Sequence, residues 1–145
     1  MLVRLLYASR AVGPIDDALV ASIVGKAREH NSAHGLTGFL CTSAEGGVFL
    51  PVLEGGRAAV NDLYGRILRD PRHRDVTLLD YEEIGERRFA TWRMGSVNLN
   101  RVNLGTILRF SECPAFDPFG MSGKAALALL GELLATAAIV SRDDA

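Results

Sequence analysis

The side chains of this chain that could carry chemistry are few and scattered. Glu82 and Glu83 are adjacent and Glu86 follows, a grouping that would suit an acid and a base but is commoner as a solvated strand edge. His30 and His34 stand four residues apart, a spacing at which two imidazoles could hold a metal. No third ligand accompanies them, so a helix surface near its C-terminal end is the better reading. Ser9 with one of the histidines would imitate a nucleophile and base, but no elbow motif surrounds it. A Gly-rich phosphate loop, an HExxH segment and a paired-cysteine arrangement are all missing from the sequence. The expectation is therefore a protein that is not an enzyme and holds no metal. A different feature stands out: GVFLPVLEG, residues 47–55, reads as a strand with Pro51 at its centre, where a sheet normally needs an N–H.

The elements that must position these residues can be read from composition and periodicity. With 145 residues, 48% of them hydrophobic, the chain can bury one core without disulfide or metal staples. Sixteen basic residues against seventeen acidic ones, with no long basic run, argue against nucleic acid as a partner. Cys41 and Cys113 have neither metal-ligand spacing nor a disulfide-rich pattern, which suits a reducing cytoplasm. The first residues make a poor export signal, and neither they nor the alanine- and leucine-rich segment near the end makes a comfortable membrane span.

Residues 2–8 read as a strand with Val3, Leu5 and Tyr7 on one face. A helix begins at Asp17 and ends near Ala33 to Gly35, with Val20, Ile23, Val24 and Ala27 as its apolar stripe. TGFLCTS and VFLPVLE, joined through Glu45, Gly46 and Gly47, form a hairpin. A second helix fits Arg57 to Arg69, a fourth strand begins at Val76, and a fifth, TWRMGSVNL, begins at Thr91. This order predicts an α+β fold, a ferredoxin-like βαββαβ core with an added fifth strand and both helices on one face. A C-terminal helix, Ser122 to Val140 and capped by Ser122, is apolar on a very broad side. It either covers the open sheet face or enters an oligomer interface. The division expected is residues 1–100 as the core domain and 101–145 as a C-terminal loop and helical cap.

Several motifs in this order resemble the BLUF domains, small blue-light receptors that hold a flavin. YASRA at 7–11, EHNSAHGLTGFL at 29–40, GVFLPVLEG at 47–55, ILRDPRHRDV at 67–76 and RRFATWRMG at 87–95 carry the resemblance, which runs from Leu2 to about Asn98. It implies a short, single-domain receptor with FAD as cofactor, its ring lying between the two helices over the sheet. Tyr7 then stands at the photoactive tyrosine and Asn31 at a flavin-binding asparagine. Trp92 and Met94 lie on the final strand as photoactive wall residues, Met94 also touching the cofactor. Arg72 and His73 fall near the ribityl or phosphate tail. Each has a plainer reading from the residues alone: Tyr7, Trp92 and Met94 as core, Asn31 as a helix-end cap, Arg72 and His73 as a solvated cluster.

The sequence departs from the family at its central actor. The photoactive glutamine of the motif is replaced by Pro51, which shares strand parity with Phe49 and Leu53. Proline has neither the carboxamide oxygen that accepts from a tyrosine nor the NH₂ that donates to the flavin. The resemblance thus implies an FAD-binding photoreceptor-like protein, signalling through protein contacts, whose normal photocycle is altered or absent. A flavin-free interaction adaptor and a small flavin redox protein remain open beside it. A homo-oligomer and an unknown downstream protein are the partners expected.

Overall fold

The computed structural model describes residues 1–90, 94–136 and 140–141. Among the described residues six strands and four α-helices follow one another: β1 (Leu2–Ala11), α1 (Asp17–His34), β2 (Thr37–Ser43), β3 (Val48–Gly56), α2 (Arg57–Leu68), β4 (His73–Ile84), β5 (Gly95–Asn98), α3 (Leu104–Leu108), α4 (Gly123–Ala135) and β6 (Val140–Ser141). They form one sheet in the order β4-β1-β3-β2-β5-β6. Only β2 and β5 run parallel; the other neighbouring strands pair antiparallel. The βαββαβ core, the added β5 and the C-terminal helices match the fold expected from element order.

Alternation in β1 and β3 separates two cores. Val3, Leu5 and Tyr7 of β1 pack with Leu36 and Val60 beneath α2. Leu40, Phe49, Leu53 and Met94 pack with Val24 beneath α1. Residues of the other parity, Leu6, Ala8, Leu50 and Val52, face the opposite side, where α4 lays down Ala126, Leu129, Leu130 and Leu133. Such fully buried leucines each contribute roughly 1.5–3 kcal/mol relative to exposure.

Local chemistry fixes the helix ends. The side chain of Asp16 accepts from Leu19 N at 2.8 Å and starts α1. Ser122 accepts from Ala125 N at 3.0 Å and starts α4 as expected. Gly123 lets α4 come close to the sheet, because a Cβ there would lie 2.3 Å from the Leu79 carbonyl oxygen.

Several boundaries differ from expectation, and β1 itself runs to Ala11 rather than ending at residue 8. The strand β4 begins at His73 rather than Val76, entering through a bulge at Asp75, whose φ of 55° is left-handed. Its polar, edge-strand sequence hides the extension, since an edge facing water does not need alternation. The C-terminal helix ends at Ala135 rather than Val140, and Val140 pairs with Ser96 in β6. At this end the Thr136 hydroxyl turns back to the carbonyl of Glu132 at 3.0 Å. The strand expected from Thr91 is Gly95–Asn98: Met94, expected on it, sits in a bend just before it, and Thr91, Trp92 and Arg93 lie outside the described residues.

The docking of α4 has a direct test. Leu130→Ala removes a side chain that is fully buried between helix and sheet, and should lower the unfolding free energy by about 2–5 kcal/mol in urea denaturation. A loss below about 0.5 kcal/mol, the size of an ordinary surface substitution, would mean that α4 leaves the sheet in solution.

Candidate functional site

Between α1 and α2, over the sheet, lies a groove of about 320 Å³. Its floor is Tyr7, Leu40, Phe49, Pro51 and Leu53, and its sides are Leu19, Ile23, Ala27 and Asn31 from α1, Leu63 and Ile67 from α2, and Met94 ahead of β5. Lys26, His30, Arg66, Asp70, Arg72 and His73 complete the lining. Every described residue that the sequence singled out for the site therefore lines one cavity: Tyr7, Asn31, Pro51, Arg72, His73 and Met94. Trp92 lies outside the described residues.

Tyr7 is 6% exposed, and its hydroxyl makes no hydrogen bond to another described residue. Burial, then the neighbouring Tyr64 and Asp70, push its phenol above the ordinary tyrosine value, so it stays protonated and available as a donor. Its ring is tilted against Tyr64 at 5.6 Å and meets His73 edge-on at 6.3 Å. Asn31 is fully buried in the last turn of α1, where its backbone carbonyl accepts from Gly35 and Leu36. That turn is closed by Gly35 in the left-handed conformation, which anchors Asn31 in place.

Pro51 stands directly opposite Tyr7. The register Leu5↔Leu53 and Leu6↔Val52 continues to Ser9↔Phe49, but the two pairs between, Tyr7 with Pro51 and Ala8 with Leu50, drop out of the ladder. Both rungs need an N–H at residue 51 pointing to the Tyr7 carbonyl, and proline has none. Pairing of Pro51 with Leu40 on the other side is uninterrupted.

The rim is cationic and clasped. Arg72 holds Asp70 through its Nε at 3.1 and 3.0 Å and its Nη2 at 2.6 Å. The bonded Arg72 side chain brings the Asp70 carboxyl down to about 2. His73 Nε2 donates to the Ile67 carbonyl at 2.7 Å, and its Nδ1 is hydrogen-bonded with the Ser9 hydroxyl at 2.9 Å. The structure thus brings Ser9 to a histidine, but Ser9 is fully buried and the pair ties β1 to the end of α2. Lys26 and Arg66 are cations of this rim that sequence reasoning missed. His30 is stacked on His34 at 4.2 Å, and its pKa is lowered by desolvation, then by His34 and Arg66. Glu82 and Glu83, set aside as an acid and base, pair instead with Arg4 and Arg57. Among the described residues no group of three or more potential ligands is placed to hold a metal ion.

A mostly apolar slot with a phenol and a carboxamide among its walls suits a flat heteroaromatic ring with polar edges, and the cations at its mouth suit a phosphate. Fold and groove together define a flavin photosensor-like domain. Residues 2–95 match the family described as BLUF, sensors of blue-light using FAD. The chain belongs to the BLUF family. Subunit beta of the photoactivated adenylate cyclase of Euglena gracilis is 35% identical over 96 residues, 66% of this chain and 11% of that protein. The chain thus spans roughly a tenth of the length of the curated relatives it matches. Among solved structures, BlsA in its photo-activated state superposes with a TM-score of 0.81 at 31% identity, covering 92% of this chain and 95% of that one. BlrB, a BLUF protein in its dark state, gives 0.75 at 31%, covering 94% and 96%. The fold and groove are those of sensor domains, and no described helix is long and apolar enough to cross a membrane.

The rim clasp carries a pH prediction. Asp70 has its pKa depressed on folding, so its contribution is present above the unfolded value near 3.8 and is lost as pH falls through about 2. The Asp70 carboxyl carbon should hold its ionised NMR shift from pH 8 to pH 4 and titrate only near pH 2. An ordinary titration near 4 would show that the clasp with Arg72 is absent in solution.

Proposed function

We propose that this chain is an FAD-binding, blue-light receptor-like protein in which the usual light-driven hydrogen-bond switch is missing at Pro51. The observation that carries the reading is the position of Pro51, directly opposite Tyr7 and in the floor of the same groove. The family's motif has a glutamine there, three residues before the glutamate of LEG, and this chain has an imino acid. When bound, FAD supplies the absorption of blue light and an acceptor for one electron.

The chain's own residues do the rest. Tyr7 donates its hydroxyl proton toward the ring and is the nearby electron donor, and its raised pKa keeps that proton in place in the dark. Asn31 offers a carbonyl and an NH₂ to the polar edge of the ring. Met94, Phe49 and Leu40 exclude water. Lys26, Arg66 and Arg72 at the mouth take the phosphates, and this favours FAD over the bare ring. Trp92 is a second photoactive donor in the reading. With proline at 51, nothing on that strand can exchange acceptor and donor between phenol and ring, so the dark bonding pattern returns without a long-lived shifted state. Residues 1–100 form the flavin domain and residues 101–145 its cap. Output passes to a separate protein, with Leu104 and Leu108, exposed on α3, as an apolar patch for it or for a second copy of the chain.

The purified protein should be yellow with one FAD per chain. Blue light should bleach it to reduced flavin that reoxidises in the dark, with no reversible red shift of a few nanometres. Pro51→Gln should create that red shift and tighten FAD by about two- to tenfold, the worth of one net hydrogen bond of roughly 0.5–1.5 kcal/mol. A red shift in the unaltered protein overturns the reading of Pro51. A colourless protein that takes up no added FAD means a flavin-free adaptor.

A further inference from the structure

We infer that Glu54 is a positioning residue for the groove, acting from the opposite side of the sheet. Glu54 lies three residues after Pro51 on β3 and is fully buried. It has the parity of Leu50 and Val52, so it faces α4 and not the groove. Its carboxylate collects three donors: Arg4 Nε at 2.8 Å, the backbone N–H of Arg88 at 3.0 Å and that of Phe89 at 2.7 Å. Arg4 passes its other arm to Glu82 at 2.8 Å.

Arg88 and Phe89 belong to neither helix nor strand, so their N–H groups have no ladder to join. A buried N–H without a partner is costly, and here one carboxylate satisfies two of them. An apolar residue at 54 would pack as well in the interior and would leave both orphaned. A buried ion pair is weak support for stability, because desolvating the charges offsets much of their attraction. The geometry therefore points to placement of the crossover from β4 to β5. Phe89, edge-on to Phe39 at 4.9 Å and fully buried, is the pinned end. Arg87 adds bonds to the Gly35 carbonyl at 2.7 Å and to Thr37 at 3.1 Å. The other end is Gly95, paired with Phe39 in β5. Met94, the groove wall at 5% exposure, falls between these fixed points. Without the carboxylate one fixed point is lost, and the wall at Met94 is no longer held.

The test uses the full chain. Trp92 is its single tryptophan and lies in this crossover by sequence, so its emission reports on the segment without any flavin. Glu54→Gln keeps the shape and one acceptor oxygen but turns an NH₂ toward the donors on the other side, Phe89 N or Arg4 and Arg88 N. Exchange of whichever of the Arg88 and Phe89 amides loses its acceptor should quicken by about tenfold or more, as expected when a charge-assisted bond is lost, with protection of β1 and β3 unchanged and Trp92 emission shifted. Glu82→Gln, which removes only the outer partner of Arg4, should leave all three readouts as in the parent. Should Glu54→Gln fail to fold, the double change Arg4→Met with Glu54→Leu removes the clasp while keeping a packed interior.

Unchanged amide exchange and emission in a folded variant lacking the carboxylate overturn the proposal. Faster exchange across the whole sheet overturns it too, since that marks a general stability role. The flavin arm rests on the function proposed above: FAD should bind Glu54→Gln about tenfold more weakly through loss of that bond. If the parent binds no FAD, that function fails, while exchange and emission still decide the role of Glu54.

Discussion

The antiparallel register that sets Leu5 against Leu53 decides what this molecule can do. Side chains along a strand alternate between faces, so a slip of one residue would exchange the two faces of the sheet. In the observed register Tyr7 and Pro51 share the groove, and Glu54 is sent to the far side, where it meets the crossover before β5. The register is held by hydrophobic content on both faces: Val3 and Leu5 under α2, Leu6 and Ala8 under α4. Neither face could exist without the other. A sheet with only the helices α1 and α2 would leave Leu50, Val52 and Phe39 in water, and α4 is the element that removes them.

The two faces differ in kind, and that difference suits a sensor. The α4 side is closed by leucines and by a carboxylate whose bonds are all made within the chain. The other side is left open between α1 and α2, with a phenol among its walls and a rim whose Arg66 and Arg72 are paired with Asp62 and Asp70. A groove of this size lined by Leu40, Phe49, Ile67 and Met94 exposes apolar surface that costs free energy in water. Occupation by a planar ring would recover it. The rim clasp of Arg72 on Asp70 keeps the loop between α2 and β4 in place without filling the slot.

Much of this was legible from residue types. Period-two runs and helical stripes gave the core strands and both groove helices, and the motifs around Tyr7, Asn31 and Met94 marked residues that do converge. Residues without a local signature were missed. Glu54 looked like any polar residue near a strand end, since its partners, Arg4, Arg88 and Phe89, are far away in sequence. Lys26 and Arg66 sit on helix faces where a solvated charge is the ordinary expectation, and only tertiary packing shows that both border one cavity. The early start of β4 was hidden for a related reason: an edge strand open to water can carry charges and a bulge, so its sequence need not alternate. The end of α4 was overrun because Ala137 and Ala138 suit a helix by residue type, whereas the helix ends at Ala135 and Val140 is paired with Ser96.

The proline in β3 is tolerated because its cost is local. The Tyr7 carbonyl loses one ladder donor, a matter of about 1–3 kcal/mol if it stays dry, while the pairing with β2 and the pairs at Val52 and Phe49 are retained. In the function proposed above, its functional consequence is larger than its structural one. A switch needs an element with two arrangements that bind the excited and resting states differently, because an equilibrium shifts only by that difference. Proline fixes φ near −65° and has no donor to exchange. Residue 51 therefore contributes the same wall to every state of the groove. In the function proposed above, a lasting response to light needs a bistable element other than residue 51.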